Sequence, residues 1–191
     1  MLSEAKARSF CGAPPVADPS EAPMNRWSPY FLSIVSQTFM SLRDFDLLVY
    51  GRKTYQLMVP YWPDVAKSPS STKADREFAQ TFESIKKVVF SRSLDSAEDK
   101  NTRIVRTNLH DEILKLKQEP GKNILVGGVD IPSQLIELGL VDEYRFVVMP
   151  IIAGEGRRLM EGVSLPEKLQ LKLVESKPFK SGCVALRYLK Q

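Results

Sequence analysis

The sequence has little of the chemistry that metal and nucleophile enzymes need. Its 191 residues include one histidine, His110, and two cysteines, Cys11 and Cys183, near opposite ends. A single imidazole excludes most zinc sites and Ser-His-Asp triads, and cysteines so far apart have no ligand spacing. No apolar run approaches the roughly 20 residues that span a bilayer, and there is no internal repeat. Positive charge is in slight excess, 27 Lys and Arg against 23 Asp and Glu, but the basic residues are scattered. A nucleic-acid interface needs a basic stripe or patch, so none is expected. The expectation is a cytoplasmic protein without metal or disulfide, with no membrane or nucleic-acid partner. At this length a single domain can bury a sizeable core.

Residues 1–23 differ from the rest. Ala13-Pro14-Pro15, Asp18-Pro19-Ser20 and Ala22-Pro23 interrupt any period, and proline both removes donors and disfavours helix in the residue before it. This stretch is expected to be a disordered extension, leaving 24–191 as the folded domain. Ser28 then offers an N-cap and Pro29 a first helical position, with Phe31, Ile34, Val35, Phe39 and Leu42 near helical spacing, so a helix is predicted over 28–42. A strand over 46–50 follows, then a helix beginning over 53–58 that Pro60-Tyr61-Trp62-Pro63 is expected to stop. Next come a polar loop over 66–73, a short helix over 75–82 and a strand over 87–90. A charged turn over 95–101 leads to a minor strand at 103–105 and an amphipathic helix at 109–118. A strand at 123–126, a Gly-Gly turn and a helix at 131–138 capped by Gly139 form the next unit. A strand at 143–149 and two alternating strands, 169–176 and 183–189, complete the pattern. The sum is an α/β fold, a mostly parallel mixed sheet with a C-terminal antiparallel hairpin.

Three turns carry the functional signal. Gly51-Arg52-Lys53-Thr54-Tyr55, Ser91-Arg92-Ser93 and Gly127-Gly128-Val129-Asp130 each follow a short apolar run, the reading of a buried strand that ends in a turn. In open α/β sheets, ligands bind beyond the carboxyl ends of the strands. Arginine, lysine, hydroxyls and bare glycine amides there suit phosphates, and a phosphorylated dinucleotide is the expected ligand.

These residues resemble a known family. Leu48-Val49-Tyr50-Gly51-Arg52-Lys53-Thr54-Tyr55 resembles the strand-to-helix motif of dihydrofolate reductases, as do Val88-Val89-Phe90-Ser91-Arg92-Ser93 and Ile124-Leu125-Val126-Gly127-Gly128, in the family's order. Leu140-Val141-Asp142-Glu143-Tyr144 with Pro150-Ile151-Ile152-Ala153-Gly154-Glu155-Gly156-Arg157 narrows the likeness. That pairing resembles the reductase domain of bacterial bifunctional riboflavin-biosynthesis deaminase-reductases and their stand-alone relatives, over about residues 24–191. The resemblance implies a three-layer dihydrofolate reductase-like fold, NADPH as cofactor, a small-molecule substrate and a homodimer. It implies that Arg52 and Arg92 clamp the 2′-phosphate with charge-assisted bonds, with Ser91 as a neutral donor. Gly51, Lys53 and Thr54 lie at a helix start that favours the pyrophosphate. Gly127 and Gly128 let backbone approach the cofactor, and Val129, Asp130 and Ile131 begin the next phosphate-facing helix. The plainer alternatives are surface ion pairs for the arginines, a turn for Ser91 and a structural Gly-Gly turn.

Other features weigh less. Tyr61 and Trp62 suit loop packing better than a substrate pocket, Gly154-Glu155-Gly156 lacks the third glycine of a dinucleotide fingerprint, and His110 is expected to cap its helix. The departures from the family are larger. The opening strand and the Ser-Leu-Asp-Gly-like segment that follows it in the family are not found before Trp27. In dihydrofolate reductases that strand lies mid-sheet, so its loss would expose two strand edges. A strand swapped from a partner, a replacement from residues 1–23 and a truncated reading frame are the possible accounts, the last being favoured. Residues 28–42 also lack the carboxylate that dihydrofolate reductases place to help protonate the pterin, so folate is not the expected substrate. The expected activity is NADPH-dependent reduction of a heterocyclic or ribosylaminopyrimidine substrate, like 5-amino-6-(5-phosphoribosylamino)uracil reductase, with no proton donor named. The alternative is a non-catalytic NADP-binding or structural member of the family.

Overall fold

The computed structural model describes residues 42–150, 152, 159–160, 162–165 and 167–191. The predicted extension at 1–23, nearly all of the predicted helix at 28–42, Cys11 and the Gly154-Glu155-Gly156 segment lie outside them. A 3-10 turn at Leu42–Asp44 enters β1 (Phe45–Gly51), which runs straight into α1 (Arg52–Lys67). Then come α2 (Lys73–Ser84), β2 (Lys86–Phe90), β3 (Thr102–Val105), α3 (Leu109–Gln118), β4 (Asn123–Val126), α4 (Asp130–Glu137), β5 (Glu143–Val148), β6 (Leu171–Pro178) and β7 (Val184–Lys190).

Strands β1 to β4 form one parallel sheet in the order β3-β2-β1-β4. Parallel strands covered by helices on both faces read as continuous apolar runs, and β1 does so: Leu48, Val49 and Tyr50 are all buried. Alternation then divides them. Leu48 and Tyr50 join Val89 and Leu125 under α1 and α2, while Val49 joins Val88, Ile124 and Val126 under α3 and α4. The result is three layers, helix on sheet on helix. Helix starts follow local chemistry. Thr72 and Asp75 form a reciprocal capping box on α2. On α3 the cap is Asn108, which accepts from the backbone of His110 and Asp111; His110 is therefore inside the first turn and does not cap. Helix α4 ends in a Schellman turn, with Gly139 at φ +69° and Leu140 N–H donating to Leu135 O.

The prolines do not stop α1. It continues through Pro60 and Pro63 to Lys67, although each ring removes one i→i−4 donor. Burial offsets that loss: Trp62 is 1% exposed, with its ring 4.2 Å from Phe78 and 6.0 Å from Phe82. Trp62 is thus a core residue on a helix, neither loop packing nor pocket lining. The C-terminal hairpin belongs to a second, antiparallel sheet, β5-β7-β6, whose Tyr144, Phe146 and Tyr188 extend the α3/α4 core. Among the described residues, no strand pairs with the outer edge of β4 or of β5.

Candidate functional site

The strand order fixes where a ligand belongs. From β1 the chain steps outward to β2 and β3, then returns across β1 to place β4 on its other side. The helices leaving β1 and β4 lie on opposite faces, α1 with the first core and α4 with the second. A topological switch point therefore lies between the carboxyl ends of β1 and β4, and in open parallel sheets that crevice takes the ligand. Val49 pairs with Val126, Gly51 with Phe90, and Gly127 N–H donates to Val49 O at 3.1 Å. The three chemical segments, at 51–54, 91–92 and 127–131, thus share one end of the sheet.

The glycines bring the two helix starts together, but by a route the sequence reading did not foresee. A Cβ on Gly127 would stand 2.6 Å from Cε1 of Tyr50, and one on Gly128 2.4 Å from Oγ1 of Thr54. Their missing side chains make room for Tyr50 and Thr54. Gly128 also has φ +97°, a backbone that side chains rarely adopt. On the other side, a Cβ on Gly51 would approach Cγ1 of Ile131 at 3.3 Å. Ile131 is buried, whereas the Asp130 side chain is exposed at the start of α4.

Neither helix start is capped by a side chain. The first N–H groups of a helix have no intrahelical acceptor, so two such starts side by side present converging donors. Their charges differ. Helix α4 carries Asp130 in its first turn, which suits the positive end of a helix dipole; α1 carries no acid there and begins with Arg52 and Lys53. Cations at a helix N-terminus are unfavourable by themselves, and an anion reverses the sign. Both side chains are exposed, and Arg52 Nη1 donates to Gln56 Oε1 at 3.1 Å. Ser91 Oγ accepts from the backbone of Ser93 at 3.2 Å and Leu94 at 3.0 Å, which fixes the turn and leaves its own proton to donate. Arg92 is exposed and makes no hydrogen bond or ion pair among the described residues. Arg52, Ser91 and Arg92 are neighbours along adjacent strand ends, and none is committed to a carboxylate.

Tyr50 is the residue the motif reading passed over. It is 4% exposed at the end of β1, and burial pushes its phenol well above the ordinary value. It stays a neutral wedge beneath the Gly127 turn. The signal was present in the sequence as a large aromatic before Gly51, with nothing to say that it packs under the second glycine turn.

Comparison with known proteins follows the same outline. A family model described as the RibD C-terminal domain matches residues 26–185. The uncharacterized protein YyaP of Bacillus subtilis (strain 168) is 34% identical over 148 residues, 77% of this chain and 75% of that protein. A crystal structure of a putative riboflavin biosynthesis protein from Shewanella sp. PV-4 superposes with a TM-score of 0.64 at 15% identity, over 97% of this chain and 99% of that one. A diaminohydroxyphosphoribosylaminopyrimidine deaminase/5-amino-6-(5-phosphoribosylamino)uracil reductase from Thermotoga maritima gives a TM-score of 0.57 at 14% identity. The match covers 97% of this chain and 56% of that longer one. At such identities the structures establish a shared fold.

Proposed function

The chain belongs to the RibD C-terminal domain family, and from that premise we propose that it is an NADPH-dependent reductase of the riboflavin-biosynthesis type. The substrate would be a small heterocyclic or ribosylaminopyrimidine compound. One observation carries the cofactor assignment. Two uncapped helix starts meet at the switch point, and the one with no acid is led by Arg52 and Lys53. A phosphorylated dinucleotide is the ligand class that uses both halves of that arrangement.

NADPH would supply the hydride, and the rest falls to the chain's own groups. The N–H groups at the start of α1 and of α4 would hold the pyrophosphate. Arg52, Ser91 and Arg92 would take the 2′-phosphate, two directed cations and one hydroxyl donor. Tyr50, buried beneath Gly127, and Thr54 against Gly128 keep the two helix starts at fixed spacing, which would orient the cofactor without reorganisation. The described residues offer no acid-base group at this end that we assign as proton donor.

Titration with NADPH and NADH, followed by fluorescence or calorimetry, tests the cofactor half. NADPH is expected to bind more tightly, and Arg92→Ala to weaken NADPH by about 1.5–3 kcal/mol while leaving NADH unchanged. Equal affinities for the two cofactors would remove the 2′-phosphate assignment. Loss of NADPH absorbance with 5-amino-6-(5-phosphoribosylamino)uracil, and none with dihydrofolate, supports the substrate class. Tight NADPH binding without turnover of either would favour a non-catalytic NADP-binding member. A homodimer is part of this reading, and sedimentation equilibrium tests it.

A further inference from the structure

The row of strand ends that carries Arg52 and Ser91 does not stop at β2. Gly51 lies beside Phe90 in the parallel register, and Phe90 lies beside Val105. Arg52, Ser91 and Arg106 therefore each stand one residue past an aligned trio on three adjacent strands. The Ser91 N–H donates to the Val105 carbonyl at 3.1 Å, which carries the alignment one step beyond the ladder. Neighbouring strands run about 4.8 Å apart. Ser91 is the middle of the row, with Arg52 on one side of it and Arg106 on the other.

Arg106 is held in place without being neutralised. It is exposed, and its Nη2 donates to the Leu94 carbonyl at 2.6 Å, which lays the guanidinium against the turn that carries Ser91 and Arg92. Arg52 is tethered in the same manner, by the neutral Oε1 of Gln56. Among the described residues, none of Arg52, Arg92 and Arg106 pairs with a carboxylate. The acids that follow Arg106 on α3 are used elsewhere, Asp111 on His110 and Glu112 on Arg103. A neutral acceptor fixes where a guanidinium points and leaves its full charge and most of its N–H donors free. Three such cations around one hydroxyl repel one another, and a dianion placed among them reverses that repulsion.

We propose that Arg106 is a further specificity-determining residue, closing the 2′-phosphate subsite on the side opposite Arg52, an inference that rests on NADPH being the cofactor. The phosphate would sit over the Ser91 hydroxyl, flanked by Arg52 and Arg106, with Arg92 beyond it. A phosphate monoester presents three acceptor oxygens. Guanidinium groups on two sides and a hydroxyl beneath give these oxygens directed, charge-assisted donors. A ribose that carries a bare 2′-hydroxyl brings no charge to the row, so Arg106 contributes to NADPH and not to NADH. Because Arg106 is already pinned to the turn, less side-chain freedom is lost on binding.

The test uses the full chain, titrated by calorimetry at constant ionic strength with NADPH, NADH and two small probes, 2′-AMP and 5′-AMP. Arg106→Gln keeps an amide N–H for the Leu94 carbonyl and removes the charge, which separates contact with phosphate from bracing of the turn. It is expected to weaken 2′-AMP and NADPH about tenfold and to leave 5′-AMP and NADH unchanged. Arg106→Lys, which keeps the charge without the planar fork, should recover part of the loss. Equal weakening of all four ligands, or a loss in Arg106→Ala that Arg106→Gln does not show, would overturn the proposal and leave Arg106 as a brace. A preference for 2′-AMP over 5′-AMP that Arg92→Ala reduces and Arg106→Gln does not would overturn it with the cofactor reading intact. A parent chain that binds 2′-AMP and 5′-AMP alike would overturn the cofactor reading and this inference together.

Discussion

Single residues at the candidate site work by shape before they work by charge. Gly128 combines φ +97° with a would-be Cβ collision at Thr54, so Gly128→Ala meets two separate penalties. A destabilisation of about 1–3 kcal/mol is expected from the backbone strain alone. Denaturant melts should show Thr54→Ala relieving part of the total, since it removes the nearest atom, but not the backbone part. Full rescue would mean that φ is not the constraint. Tyr50 gives a second prediction. Its phenol is raised by burial, so the unfolded chain releases that proton first. The contribution is undiminished below about pH 10, and stability then falls as pH rises above it. Ultraviolet difference titration should show a tyrosine that stays silent until alkaline unfolding and is lost in Tyr50→Phe. A titration with no delayed tyrosine would contradict the burial. Of these residues the sequence made Gly51, Arg52, Ser91, Arg92 and the Gly127-Gly128 pair legible, because each follows an apolar strand. What it hid was which side chains fill the glycine spaces, since that depends on β1 lying beside β4.

At the scale of elements, legibility tracked local chemistry. The helix at 109–118 and the strand at 123–126 were read with the boundaries they have, because Glu119, Pro120 and Gly121 separate them. Helix α1 was read too short because proline is a local signal and the burial of Trp62 is a tertiary one. That balance can be measured. Pro60 is exposed within the helix, so Pro60→Ala restores an N–H that Gln56 O can accept, without touching the core. Restored helix geometry outweighs the extra freedom of the unfolded chain, and a gain of about 1 kcal/mol or more is expected in urea melts. Trp62→Ala is expected to cost about 3–5 kcal/mol, its indole being packed on Phe78 and Phe82. If Pro60→Ala destabilised the protein instead, the proline would be serving the helix. The cleft at the amino ends of β1 and β4 could not be read at all: Arg43, Lys122, Arg145 and Arg187, which line it, follow no sequence spacing and meet only through the strand arrangement.

The molecule as a whole is two sheets that share one core face, and they are held by different forces. The β1–β4 sheet is locked by apolar burial on both faces, whereas β6 exposes most of its residues and ends the second sheet. Between β5 and β7 an ionic fastening is added to the backbone ladder and the apolar packing of Phe146 on Tyr188, Glu143 against two facing guanidinium groups. Burial by itself would raise the Glu143 carboxyl, but the hydrogen bonds and charges of Arg187 and Arg145 outweigh it and hold it below the usual value. A depressed carboxylate stabilises the fold above its unfolded value, near pH 4, and that stabilisation is lost as pH falls through the folded value below it. Protonation then removes the buried charge that lies between Arg145 and Arg187, so the second sheet should open first in acid. Native-state hydrogen exchange tests this. At neutral pH, amides of β1 and β4 should be the slowest and those of β6 the fastest. Below about pH 4, after correction for intrinsic exchange, protection should fall in β5 and β7 before β1 and β2 lose theirs. Glu143→Gln should reproduce that loss at neutral pH, because an amide cannot neutralise two guanidinium groups. Uniform acid loss across both sheets would show a single cooperative unit and would refute the ionic fastening.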